Sequence, residues 1–130
     1  MRVAEQLAII AIISLFATGQ VGSRTATTDW QAPPEAARRA NPLPKKTELI
    51  EGGRKIFLRE CSQCHAASGA GGRRKNAADL RSEVVQSQSD GALFWKITHG
   101  NSRSGMPSWS RLPEPQRWQL VLFIRELAKP

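Results

Sequence analysis

Cys61-Ser62-Gln63-Cys64-His65 holds both cysteines of the 130-residue chain and one of its two histidines. Thiols at positions i and i+3 lie on the same side of one helical turn, and here a histidine follows at once. That spacing suits a planar macrocycle. Two sulfurs reach two vinyl groups on one edge of a porphyrin and form thioethers, while the adjacent imidazole swings beneath it to the iron. The pentapeptide is therefore read as a haem attachment segment, with Cys61 and Cys64 as anchors and His65 as an axial ligand.

Three other chemistries use cysteines so spaced. A disulfide between Cys61 and Cys64 is permitted in an oxidising compartment, but it closes a tiny loop and adds little stability. A thioredoxin-like redox pair needs a βαβ context, whereas the flanks here read helix, glycine-rich loop, helix. A zinc site needs four ligands, and Cys61, Cys64, His65 and the remote His99 are the only Cys and His in the chain.

Outward from the pentapeptide, apolar residues recur at helical spacing. Leu49, Ile50, Gly53, Ile56 and Phe57 trace one stripe ahead of Cys61, with Thr47 as an expected N-cap. A second helix is expected from Gly91 to Thr98, capped by Asp90 and ended near Gly100, with Leu93, Phe94 and Ile97 facing inward. A third begins around Glu114 and carries Trp118, Val121, Leu122, Ile124 and Arg125. Helices this short, packed on one another, leave a crevice that a haem fills as the largest apolar object in the core, so the apo-chain is expected to fold poorly.

On these residues the segment from Glu48 to Leu127 resembles the mono-haem class I cytochrome c family. Gly53, Phe57 and Cys61 repeat at intervals of four, matching the family's N-terminal helix, and Gly53 would let another helix cross closely. Gly105-Met106-Pro107-Ser108-Trp109 is similar to the family's methionine loop, and Leu120 and Phe123 fall in its C-terminal helix. The resemblance implies an all-α fold of three to four short helices around one covalently attached haem c, with His65 and Met106 on opposite sides of the iron. Met106 as a gap-filling core residue is the alternative, but its turn-like setting between Gly105 and Pro107 and the absence of another internal methionine favour ligation. His99 is a rival sixth ligand, read instead as a surface residue near a helix end. Where the family commonly has Pro-x-Leu, whose proline carbonyl accepts a hydrogen bond from the axial histidine, this chain has Ala78-Asp79-Leu80; the backbone of Ala78 still offers a carbonyl.

At the chain's start, Arg2 precedes an apolar run from Leu7 to Ala17 and then small residues, the layout of a secretory signal. The run is shorter than the roughly 20 apolar residues of a spanning helix, which makes an uncleaved anchor the second choice. Residues 1–23 are thus expected to be a signal peptide or N-terminal anchor, 24–46 a linker carrying Pro33, Pro34, Pro42 and Pro44, and 47–130 the folded domain. Trp30 is read as a solvated linker residue, with docking on the domain as the other possibility.

Of the chain's net charge of +8, +5 falls between Glu48 and Lys129, where 13 basic residues face 8 acidic ones. In an exported protein this basic balance points to redox partners with acidic docking surfaces rather than to nucleic acid, and to membrane only through an N-terminal anchor. Arg73, Arg74 and Lys75 beside the Gly69–Gly72 loop read as a solvated cluster, with a docking patch as the second possibility. Paired acid and base, catalytic triad and phosphate loop are all missing, and Gly69-Ala70-Gly71-Gly72 opens no strand-to-helix signature. A His/Met pair leaves iron no vacant position, so the expected use is periplasmic single-electron transfer without turnover of its own. A haem sensor or peroxidase-like protein with an open sixth position, and a haem subunit bound tightly to a dehydrogenase or oxidase, are the alternatives.

Overall fold

The computed structural model describes residues 30–128; the expected signal or anchor, and residues 24–29 of the expected linker, lie outside them. Six α-helices follow in order: α1 Pro34–Ala37, α2 Thr47–Glu60, α3 Ser62–His65, α4 Glu83–Gln86, α5 Asp90–His99 and α6 Glu114–Leu127. Among the described residues there is no β-strand, only an isolated antiparallel bridge between Asn101 and Met106. The all-α expectation holds. Its three substantial helices are α2, α5 and α6, and the other three are single turns of four residues each.

Sequence pattern sets the core. Residues Ile56 and Phe57 of α2, Leu93, Phe94 and Ile97 of α5, and Trp118 with Leu120 to Ile124 of α6 are buried, and no polar or charged side chain is buried among the described residues. α6 is covered nearly all round because α2 lies across one side of it and α5 across another. The α2–α6 crossing is close at Gly53, where a Cβ would stand 2.0 Å from the Gln119 carbonyl oxygen, so only glycine lets the backbones meet. Beside it the Phe57 and Phe123 rings pack tilted at 5.2 Å, and on the α5 side Phe94 stacks on Trp118 at 4.0 Å.

Two caps differ from expectation. Thr47 is the first helical residue of α2 and makes no capping bond, and α5 is capped by Ser89, whose Oγ accepts from the Ala92 amide at 3.1 Å. Asp90, expected as that cap, instead takes the Arg125 guanidinium at 2.8 Å. Arg125 also donates to the Gln86 and Gln88 carbonyls, and the Gln86 amide donates to the Leu80 and Ile124 carbonyls, which pins the short α4 to α6.

From Trp30 onward the expected linker lies against the domain. The Trp30 indole donates to the Gly100 carbonyl at 2.7 Å, and Asn41 Nδ2 donates to the Trp118 carbonyl at 3.1 Å. Arg39 pairs with Glu114 at 2.7 Å and lies over the Phe94 ring at 4.9 Å, while Leu43 packs on the core. The reading of Trp30 as solvated is corrected: an indole N–H and a large apolar ring both gain by docking where a helix-end carbonyl lacks an intrahelical donor. Among the described residues no helix is long and apolar enough to cross a membrane.

Candidate haem centre

The attachment turn is made by a break between two helices. α2 runs to Glu60, the Cys61 amide still bonds back to the Phe57 carbonyl at 2.8 Å, and Cys61, at φ −116° and ψ −30°, caps the end of α2 and the start of α3. The Cys64 and His65 amides both return to the Cys61 carbonyl, at 3.1 and 3.0 Å. Cys61, Cys64 and His65 thus share one tight turn, as the spacing requires.

Both cysteines are free thiols, which gives the disulfide reading no support. Burial pushes the Cys61 thiol up to about 12, and the charges of Glu60 and Cys64 add to the effect. Cys61 is partly buried and packs on the same apolar core as Leu80 and Met106. For zinc, no group of three or more His, Cys, Asp and Glu among the described residues is placed to hold a bare metal ion. His99 is exposed, stacks on Trp95 at 4.4 Å and has its Nδ1 on the Trp95 carbonyl at 2.9 Å.

After His65 the chain reverses at Ala66, which takes φ 61°. The loop that follows is tied back by backbone bonds from Gly71 to the His65 carbonyl at 2.9 Å, from Arg73 to that of Cys64 at 3.2 Å and from Leu80 to that of Gly69 at 2.8 Å. This folding brings the Ala78 carbonyl to 3.0 Å from His65 Nδ1. A carbonyl only accepts, so Nδ1 carries the proton and Nε2 keeps its lone pair for a metal. Two thiols, one oriented imidazole and a carbonyl behind it form a donor set that fits a haem c.

Met106 is held in a separate turn. Its amide and carbonyl pair with those of Asn101 at 3.0 and 2.8 Å around a 3-10 turn over Ser102–Ser104, and the chain turns at Gly105 with φ 82°. Partly buried, it lines an open cleft of about 890 Å³ together with Trp30, Asn76, His99 and Pro107; neither thiol nor His65 lines that cleft. Trp109 is buried, its amide bonded to the Ile97 carbonyl at 3.1 Å and its ring covered by Arg111 at 4.3 Å. Arg111 in turn pairs with Glu60 at 2.9 Å, joining the chain beyond Met106 to the residue before Cys61. Glu60 is held below the usual carboxylate range, first by its hydrogen bond from Arg59 and further by the charges of Arg59 and Arg111.

The Glu60–Arg111 pair has no counterpart in the sequence reading, and the Trp30 contact is the second of the two possibilities read there. They join residues 51 and 70 positions apart, beyond the reach of any periodicity; the one signal was a lone tryptophan in a proline-rich stretch.

Residues 48–124 match the family described as "Cytochrome C oxidase, cbb3-type, subunit III". A curated relative, the cbb3-type cytochrome c oxidase subunit FixP of Sinorhizobium medicae (strain WSM419), is 28% identical over 89 residues, a stretch that covers 65% of this chain and 29% of the relative. The chain therefore spans less than a third of that relative's length. A covalently attached haem c with its iron is the cofactor such a domain carries, and Cys61, Cys64 and His65 stand in its Cys-x-x-Cys-His motif. Matched from Glu48 into α6, over more than half its length, the chain belongs to the cbb3-type cytochrome c oxidase subunit III family of cytochrome c domains.

Proposed function

We propose that this chain carries single electrons between redox proteins in the periplasm, through a haem c tied to Cys61 and Cys64 and ligated by His65 and Met106. Bound there, the haem supplies a one-electron iron couple. The chain's residues hold, orient and enclose it. Cys61 and Cys64 fix its edge to the end of α2, and the Ala78 carbonyl keeps His65 in the tautomer that presents Nε2 and strengthens it as a donor. The Met106 thioether would be the iron's second protein ligand, and with both ligands in place small molecules would find no open position and the chain would turn over no substrate of its own. That one engaged nitrogen of His65, on the same turn as both thiols, is the observation that carries this reading.

Residues 1–23 serve as export signal or anchor, residues 24–46 join them to the haem domain, and 47–130 make up that domain. The basic surface, with Arg73, Arg74 and Lys75 exposed on the loop that reaches His65, favours partners with acidic docking faces. The likeness to an oxidase subunit supports a second reading, in which one enzyme complex holds the chain permanently. High salt separates the two, because a charge-steered encounter is lost and a permanent contact persists.

Carbon monoxide added to the reduced, matured protein tests the closed centre. Binding should be slow and incomplete; rapid, full binding sinks the carrier reading in favour of a sensor or peroxidase-like protein.

A further inference from the structure

The segment from Trp30 to Lys46 touches the domain along its whole length. Lys45 pairs with Glu126 near the end of α6 at 3.1 Å, Asn41 bonds to the Trp118 carbonyl mid-helix, and Arg39 reaches Glu114 at the helix start. It then crosses to α5, where Ser89 Oγ donates to the Ala37 carbonyl at 2.6 Å. At Gly91 the approach is close enough that a Cβ would stand 2.2 Å from the Ala36 carbonyl oxygen. Its far end is the Trp30 indole, 2.7 Å from the Gly100 carbonyl, with Lys96 Nζ 4.6 Å from the ring centroid.

Gly100 is the residue at which the chain leaves α5, and the next one, Asn101, exchanges both backbone hydrogen bonds with Met106. Trp30 thus grips the hinge of the turn that holds Met106, and the two residues line the same cleft. The Gly100 carbonyl, at a helix end, has no later turn to bond with; the indole N–H supplies its donor and ties the departure point to a segment anchored on α5 and α6.

We propose that residues 30–46 are a strap that positions the methionine turn, with Trp30 as the positioning residue for Met106. The strap closes the sixth side of the haem from a distance and makes the state of that side depend on whether the chain upstream of the domain is seated. This rests on Met106 being the ligand, as proposed above, but the contact itself does not.

The test uses the full, haem-loaded chain and the variant Trp30→Phe, which keeps a smaller aromatic ring under Lys96 and removes the N–H donor. Hydrogen exchange at the Asn101 and Met106 amides should speed up about tenfold, the scale of one lost hydrogen bond, while Phe57 and Phe123 amides keep the parent's protection. The weak red band that a thioether gives ferric haem should fade, and carbon monoxide should bind the reduced form faster. Gly91→Ala, which lifts the strap at Ala36 without touching Trp30 or the cleft, should do the same and serves if Trp30→Phe does not fold. Parent-like exchange at Met106 in a folded variant overturns the strap, whatever the ligand. A Met106→Ala protein with the parent's ferric spectrum overturns ligation instead, and with it the claim that the strap positions a ligand.

Discussion

His65 Nδ1 lies 3.0 Å from the carbonyl oxygen of Ala78, across thirteen residues and a loop that reverses on itself. The acceptor is backbone, so the side chain at position 78 is not what holds the imidazole. What holds it is the path of the loop, set by the backbone bonds of Gly71, Arg73 and Leu80 to His65, Cys64 and Gly69 respectively. The contact survives the change of proline to alanine relative to the family pattern because a carbonyl is common to both residues.

Moving that carbonyl should retune the iron. A Cβ at Gly71, which sits at φ +72°, would fall 2.5 Å from the Ala78 carbonyl oxygen, so Gly71→Ala forces the two apart and loosens the His65 bond. A less basic imidazole stabilises ferric iron less, and the reduction potential should rise by on the order of 30–60 mV, a few-fold to tenfold in the one-electron equilibrium. Potentiometric titration of matured parent and variant checks the sign. A fall in potential would mean that the carbonyl does not act through the histidine.

Met106→Ala should leave the protein coloured and folded but open on one side. The side chain is partly buried at the edge of the core, so its loss should cost about 1–2 kcal/mol, below the 2–5 kcal/mol of a buried methionine. Carbon monoxide should then bind the reduced form rapidly and completely, and the potential should drop because a soft ligand that favours ferrous iron is gone. Thermal melting and gas titration on one preparation separate the two effects.

What could be read without coordinates was what local chemistry dictates. Cys61, Cys64 and His65 were legible because haem attachment demands its residues within one turn, and α2, α5 and α6 because each buries a stripe long enough to show a period. The one-turn helices α1, α3 and α4 are too short to carry one. Ser89 and Asp90 are adjacent and both able to cap α5; Arg125, from another helix, draws Asp90 away and leaves the task to Ser89. At Trp30, likewise, proline-rich surroundings signal a tether while its partner, Gly100, is 70 residues downstream.

Acid should weaken the domain partly through Glu60. Its folded-state pKa is depressed, so its pairing with Arg59 and Arg111 contributes fully above the unfolded carboxylate range and fades as pH falls through the lower, folded value. The pair is near the surface, and the contribution is on the order of 1 kcal/mol or less. Urea midpoints from pH 7 down to about pH 3 should fall for the parent; in Glu60→Gln the pH 7 midpoint should start lower and the acid limb should be shallower. Parallel limbs would show that Glu60 takes no part.

Loss of the ring at Trp118 should separate haem-bound from haem-free folding. Trp118 is 1% exposed, stacks on Phe94, offers its backbone carbonyl to Asn41 of the strap and sits on the helix that α2 crosses. Trp118→Ala removes a side chain whose truncation typically costs 3–5 kcal/mol, comparable to the whole stability a unit of this size draws from its core alone. The haem-free chain, made with Cys61→Ser and Cys64→Ser, is already expected to fold poorly, and adding Trp118→Ala should abolish its helical circular dichroism. With haem bonded in place, the porphyrin replaces part of the missing core and its attachment restrains the unfolded chain, so the matured Trp118→Ala protein should keep its helices with a melting temperature lower by about 15 °C or more. Equal losses in the two backgrounds would mean that the helices pack independently of the group between them.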